Sequence, residues 1–286
     1  MRGFWTEFIH TLRRLRGQIL GWGSGLALYG LAMGAMYDTV QNMTGLQEML
    51  AGYPPELAAF FGDLANFNTP AGYFGTYYSS YMPLIIGIFA VAAAAGLLAG
   101  DEERGTLDLT LAYPVGRTAL FWGRWLGFVV AAALVMFIGY LGWAVTLPLT
   151  GMEVTFAALL GAHLPILALL LLFGGLSLLL SMILPSARLA MTVAGGLLAA
   201  NFLLVGLANL NEALRPIMDL TPFAFFQAGE ALTDLNWGWI VGLTAVAFLL
   251  AAGAWLLFRR RDIRVGGERG WTWRRRESTD FTDFTD

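Results

Sequence analysis

Cysteine and lysine are both absent from these 286 residues, and histidine occurs only twice. Without cysteine there is no disulfide framework, no thiolate metal site and no cysteine nucleophile. Without lysine the chain cannot supply the phosphate-loop lysine of a nucleotide-binding motif. The glycine-rich "VGGERG" at 265–270 lies in a basic tail without flanking apolar strands and reads as a flexible linker. Charge is scarce too: 13% of residues are charged against 57% hydrophobic. That balance excludes an ordinary soluble core and points to a polytopic membrane protein.

What the chain does contain is apolar runs of membrane-crossing length. A helix rising 1.5 Å per residue needs about 20 residues to cross about 30 Å of hydrocarbon. Six such runs occur, at 19–37, 80–99, 125–147, 164–184, 189–207 and 237–258. "LPILALLLLFGGLSLLLSMIL" is apolar on every face, whereas barrel strands are shorter and alternate in polarity, so the expected class is all-α with six transmembrane helices. No cleavable signal is expected, because the N-terminus opens on an arginine-bearing amphipathic stretch and not on a short apolar core.

All 17 basic residues are arginine, and they fall in alternate inter-span segments. Arg2, Arg13, Arg14 and Arg16 precede span one; Arg104, Arg117 and Arg124 lie between spans two and three; Arg188 joins spans four and five; the rest follow span six, except Arg215. The positive-inside rule then places both termini in the cytoplasm and the segments 38–79, 148–163 and 208–236 outside. On that topology His10 and His163 occupy opposite faces, so they cannot share a metal, and no serine-histidine-acid set assembles. His163 reads as an interfacial or pore-mouth side chain, with a substrate ligand as the alternative.

The first eighteen residues carry Phe4, Trp5, Phe8, Ile9, Leu12 and Leu15 at spacings of three and four, with Glu7, His10 and Arg14 opposite. This is the pattern of an amphipathic interfacial helix, either an anchor leading into span one or a contact for a cytoplasmic partner. Gly21/Gly25 and Gly30/Gly34 form two small-residue pairs on span one, suited to close packing within the bundle or between two copies. The spans hold no ionisable residue away from their ends; Asn201 is the most polar deep group, as a helix-packing donor or a substrate contact. Any driving energy then comes from outside the spans.

One densely charged stretch stands apart, "AGDEERGTLDLTLAYPVGRTALFWGRW" between spans two and three. Gly105 interrupts the helical run, Thr106 can cap a short new helix with Leu107 and Leu111 on one face, and Pro114 stops it. By itself this is a docking device or a plain loop helix. "EERGTLDLTLAYPVGR" resembles the signature of type 2 ABC exporter permeases, in which an acidic residue, Gly-Thr-Leu, a leucine-rich turn and Pro-x-x-Arg follow the second span. The six spans, the amphipathic N-terminal helix, "LTPFAFF" at 220–226 and "FRRRDI" at 258–263 extend the resemblance along the chain. Arg124 stands where a lysine is frequent, and Thr110 interrupts the run of leucines.

The resemblance implies a fold in three parts: an interfacial helix over 1–18, a six-helix transmembrane domain over 19–258, and a cytoplasmic tail over 259–286, basic and then acidic. It implies a permease subunit in a prokaryotic inner membrane, paired with a second permease copy or a homologous permease, in contact with lipid and not with nucleic acid. Separate ATPase subunits would bind ATP and Mg, so the chain carries no cofactor or metal and no catalytic residue of its own. Carried over to this sequence, Glu102, Glu103, Arg104, Gly105, Thr106, Leu107, Leu111, Pro114 and Arg117 are the coupling positions, and Asn201 and His163 the candidates for a substrate path. Arg117 would reach an acidic ATPase side chain or a lipid phosphate; Glu103 would cap helix amides or pair with Arg104. An ATPase-coupled sensor or scaffold, and a membrane-embedded hydrolase built on Glu102 and Glu103, are the rival readings.

Overall fold

The structure is a computed structural model that describes residues 2–45, 66–107 and 115–260, together with 52, 54, 60 and 110. Asp108, Leu111, Pro114, most of 46–65, and the tail from 261 onward lie outside the described residues. Those that are described form helices and turns, with no strand among them. The long helices are α1 (Arg2–Gln41), α5 (Arg117–Thr146), α6 (Phe156–Ile183), α7 (Ala187–Leu210) and α9 (Trp237–Arg260). Between them lie α2 (Pro70–Phe74), a π-helical turn (Gly75–Ser79), α3 (Met82–Ala95), α4 (Ala99–Glu103) and α8 (Arg215–Met218).

Among the described residues five helices are long and apolar enough to cross a membrane, and the pair Pro70–Ser79 and Met82–Ala95, bent by 40°, gives a sixth when the two are read as one broken span. The break has a local cause. At the π-helical turn both the amide and the hydroxyl of Ser80 donate to the Gly75 carbonyl, at 2.9 and 2.7 Å, and Pro83 in the first turn of α3 brings no amide hydrogen. The break falls at the start of the apolar run 80–99, so the helical pair begins ten residues before that run, at Pro70, and its second helix ends at Ala95.

α1 is a single helix of 40 residues, so the amphipathic stretch and span one share one rod of about 60 Å. Its buried seam runs through Glu7, Thr11, Leu15, Ile19, Gly23, Leu26, Gly30, Gly34 and Tyr37 at spacings of three and four, and it packs against α5. The helix backbones approach closely where the seam is small: a Cβ on Gly30 would lie 2.5 Å from the Trp143 ring, and one on Gly34 would lie 2.1 Å from the Thr146 hydroxyl. Gly30 and Gly34 therefore pack within the bundle, whereas Gly21 and Gly25 have nothing within 4 Å. α6 occupies the middle, touching α3, α5, α7 and α9.

The bundle has an arginine-rich end, where α1 starts and α9 finishes, and an arginine-poor end near Gln41 and Leu210. The arginine-poor half is packed with rings: Tyr73, Phe74, Tyr78 and Trp143 are all fully buried. Tyr73 donates to the Met33 carbonyl at 2.7 Å and Tyr29 to the Tyr77 carbonyl at 2.6 Å, tying the broken span to α1. His163 belongs to this cluster and not to an interface: it is 2% exposed, faces Phe74, Tyr78 and Tyr140, and its Nδ1 meets the Leu159 carbonyl at 2.8 Å. A carbonyl beside Nδ1 requires a proton there, which fixes the tautomer.

Candidate functional site at the arginine-rich end

α4 ends because Gly105 adopts φ 67°, a left-handed conformation that glycine reaches without a Cβ penalty. The Gly105 amide donates to the Glu102 carbonyl at 3.0 Å and the Thr106 amide to the Asp101 carbonyl at 2.9 Å, the paired bonds of a Schellman motif. The Thr106 hydroxyl also donates back to the Asp101 carbonyl, at 3.2 Å, and the Thr106 carbonyl accepts the Thr110 amide. Leu107 is buried at 1% exposure and anchors the chain after the turn.

This turn aims Asp101 into the protein. Its carboxylate accepts from Arg14 of α1 at 3.0 Å, Arg104 at 2.5 Å and Arg124 of α5 at 2.6 Å. Arg124 is 2% exposed; its Nε donates to Glu7 at 3.0 Å and its Nη1 also donates to the Leu97 carbonyl at 2.6 Å. Arg14 reaches the Gly96 carbonyl at 3.0 Å with its other nitrogen. Burial alone pushes the Asp101 carboxyl up, but the guanidiniums of Arg124, Arg104 and Arg14 outweigh it and hold the group below the usual carboxylate range.

Two further charges of the same stretch grip the ends of other helices. Glu103 accepts the Ala187 amide at 2.6 Å, placing a negative charge on the N-terminus of α7, beside the Ser186 cap. Arg117 donates to the carbonyls of Phe258 and Arg259 at 3.4 and 3.3 Å, a positive charge on the C-terminus of α9. Of the two partners open to Glu103, the helix amide is the one it meets, and Arg104 turns to Asp101 instead. Glu102 sits on α4, half-buried.

The stretch from Gly96 to Arg117 thus meets α1, α5, α7 and α9 through charged groups. Reading the sequence alone misses the centre of this arrangement, formed by Glu7, Arg14, Asp101 and Arg124. Glu7 and Arg14 fall on the polar arc of the amphipathic stretch, which reads as solvent-facing; in the fold Glu7 is 6% exposed, while Trp5 and Ile9 of the apolar arc are 57% and 45% exposed. The first turns are rotated so that Glu7 faces inward to Arg124 while Trp5 and Ile9 face outward, an orientation that suits lipid surroundings. The available signal was Arg124 itself, a lone charge just before a long apolar run.

Asn201 lies apart from this centre, on α7, where its amide donates to the Leu197 carbonyl one turn back at 2.8 Å. Among the described residues no group of three or more histidines, cysteines or carboxylates is placed to hold a metal ion.

Comparison with known proteins agrees with this architecture. Residues 4–226 match the family described as ABC-2 family transporter protein. A Pseudomonas aeruginosa protein named "Probable ABC transporter permease protein NosY" is 42% identical over 81 residues, a match spanning 28% of this chain and 28% of that relative.

Proposed function

We propose, from the premise that this chain belongs to the ABC-2 family of transporter proteins, that it is the permease subunit of an ATP-driven exporter. In this reading it works as a pair of permeases in a prokaryotic inner membrane, with the arginine-rich end in the cytoplasm and separate ATPase subunits docked there. The observation that carries it is the joint just described. A displacement of the 96–117 stretch acts on α1 and α5 through Asp101, on α7 through Glu103 and on α9 through Arg117. An ATPase that binds this stretch differently in its open and closed states biases the helices between two arrangements.

The roles follow from the contacts. Gly105 and the turn it allows set the direction of α4, and Asp101 and Arg124 make the joint stiff. Glu103 and Arg117 pass its motion to the helix ends. Leu111 and Pro114, outside the described residues, are proposed to complete the docking surface. Asn201 is proposed to face the transported substrate; His163, enclosed by rings, is proposed to hold the walls of that path in place.

Reconstitution with the co-purified ATPase tests this. Gly105→Leu and Arg117→Ala are expected to preserve insertion while lowering transport and permease-stimulated ATP hydrolysis together. Wild-type rates in both variants would return the stretch to an ordinary loop. Wild-type ATPase coupling with no flux of any substrate would favour the sensor or scaffold reading.

A further inference from the structure

A cavity of about 470 Å³ opens at the arginine-poor end, between the broken span, the last turns of α7 and the loop 222–233. Its size is in the range of small-molecule sites. The walls are held by tight backbone contacts: Gly229 lies so close to the broken span that a Cβ there would fall 1.9 Å from the Ala71 carbonyl. The Phe60 ring is seated on Gly206 of α7, where a Cβ would meet it at 2.0 Å.

The chemistry of the lining is one-sided. Phe60, Phe202, Phe223 and Phe226 contribute four rings, in pairs with centroids 6.3 and 5.9 Å apart, and aromatic faces are electron-rich. Among the described residues three hydroxyls line the cavity, and each has already donated its hydrogen to a carbonyl: Thr69 to Asn66 at 2.7 Å, Ser80 to Gly75 at 2.7 Å and Thr233 to Glu230 at 2.9 Å. Toward a ligand such hydroxyls can only accept, and Thr69 already accepts the Gly72 amide as well. Glu230, Asn66 and Asn209 also line the space, Glu230 adding a carboxylate, and among the described residues no basic side chain lines it. The segments 38–79, 148–163 and 208–236 carry many carboxylates against a single arginine, Arg215, so the field around the mouth is negative as well.

We propose that this cavity binds a small organic cation with a substituted ammonium group, held over the phenylalanine faces and neutralised by Glu230. An anionic or purely apolar ligand would leave the carboxylate and the accepting hydroxyls opposed or unpartnered. The lining residues all belong to one chain and lie at the end opposite the proposed ATPase dock, so the test of this site stands or falls apart from the transport reading.

The test is calorimetric titration of the purified full chain, in a maltoside detergent and without ATPase, with choline and with its uncharged tert-butyl isostere. Saturable binding of choline and none of the isostere is expected. Phe202→Leu and Glu230→Gln should each weaken choline binding roughly five-fold, the size of one cation–π or exposed charge contact. Leu203→Ala, on an exposed part of α7, should leave it unchanged. Glu230 is exposed, so that variant is expected to fold even where Phe202→Leu does not. No saturable choline binding, equal binding of the isostere, or wild-type affinity in Glu230→Gln would each overturn the proposal.

Discussion

At the arginine-rich end a single carboxylate, Asp101, gathers guanidiniums from α1, from α5 and from its own turn, whereas at the other end neutral tyrosine hydroxyls donate to backbone carbonyls. The first joint rests on a buried core. Arg124, Asp101 and Glu7 are buried, so removing Asp101 leaves Arg124 desolvated with fewer partners, while Arg14 and Arg104 keep access to solvent. The second is assembled from contacts worth about 1 kcal/mol each, and several of its polar atoms, the Tyr78 hydroxyl and Trp143 Nε1 among them, have no hydrogen-bond partner among the described residues. A charged joint suits the end proposed to receive force from an ATPase; a cavity walled by aromatic rings suits the end proposed to hold and release a ligand.

The strongest way to break this comparison is to remove its centre. Asp101→Ala, which takes from Arg14 its carboxylate and leaves the buried Arg124 with Glu7 alone, should cost about 3 kcal/mol in thermal denaturation of the purified chain. Tyr29→Phe at the opposite end should cost only about 1 kcal/mol. Equal losses would erase the distinction between the two joints.

Close packing offers a second, smaller test. Gly30→Ala drives a methyl against Trp143 and should destabilise by about 1–3 kcal/mol, while Gly21→Ala, with nothing within 4 Å, should be neutral or gain up to about 1 kcal/mol of helix propensity. If dimer formation is followed as well, a loss confined to the Gly21 variant would assign that open glycine face to a second copy.

Acid sharpens the contrast further. The folded pKa of Asp101 is depressed, so its contribution is fully present above the unfolded value of about 4 and is lost as pH falls through the lower folded value. Melting midpoints of the wild type should therefore fall below about pH 4 more steeply than those of Asp101→Asn. Parallel curves would show that the ion cluster does not govern the arginine-rich end.

The smallest effects are expected away from the cluster. Glu103→Gln weakens a charge on the α7 N-terminus and should cost about 0.5 kcal/mol, less in high salt. Arg13→Ala, on an exposed face beside Arg14, should stay within about 0.5 kcal/mol of wild type. A large loss at Arg13 would mean that position, and not pairing, sets the strength of this end.

Much of the fold was legible because the membrane imposes it. Hydrocarbon thickness dictates the length of each apolar run, and the recurring arginines mark which ends lie together. Part of the candidate site was legible for a local reason: Gly105 announced a break in the helix, and the glycine at φ 67° supplies it. The partners were not. Glu7 and Arg124 are 117 positions apart and Arg14 and Asp101 are 87 apart, and no local pattern joins them. The amphipathic stretch even pointed the other way, since a hydrophobic arc says which face avoids water but not whether protein or lipid replaces it.

The amino-acid sequence by itself therefore determined an all-helical membrane bundle, the approximate location of its long apolar helices, the segregation of arginine to one end and the exclusion of a phosphate-loop lysine and cysteine chemistry, because each rests on composition or on short-range periodicity. Tertiary structure alone decided which glycine pair packs inside, that span two is broken, that His163 is enclosed, and that one aspartate ties several helices together. Those outcomes depend on which distant surfaces meet. In a low-dielectric interior the energy of a charge or of a missing Cβ is set by the atom across the contact, not by its neighbours along the chain.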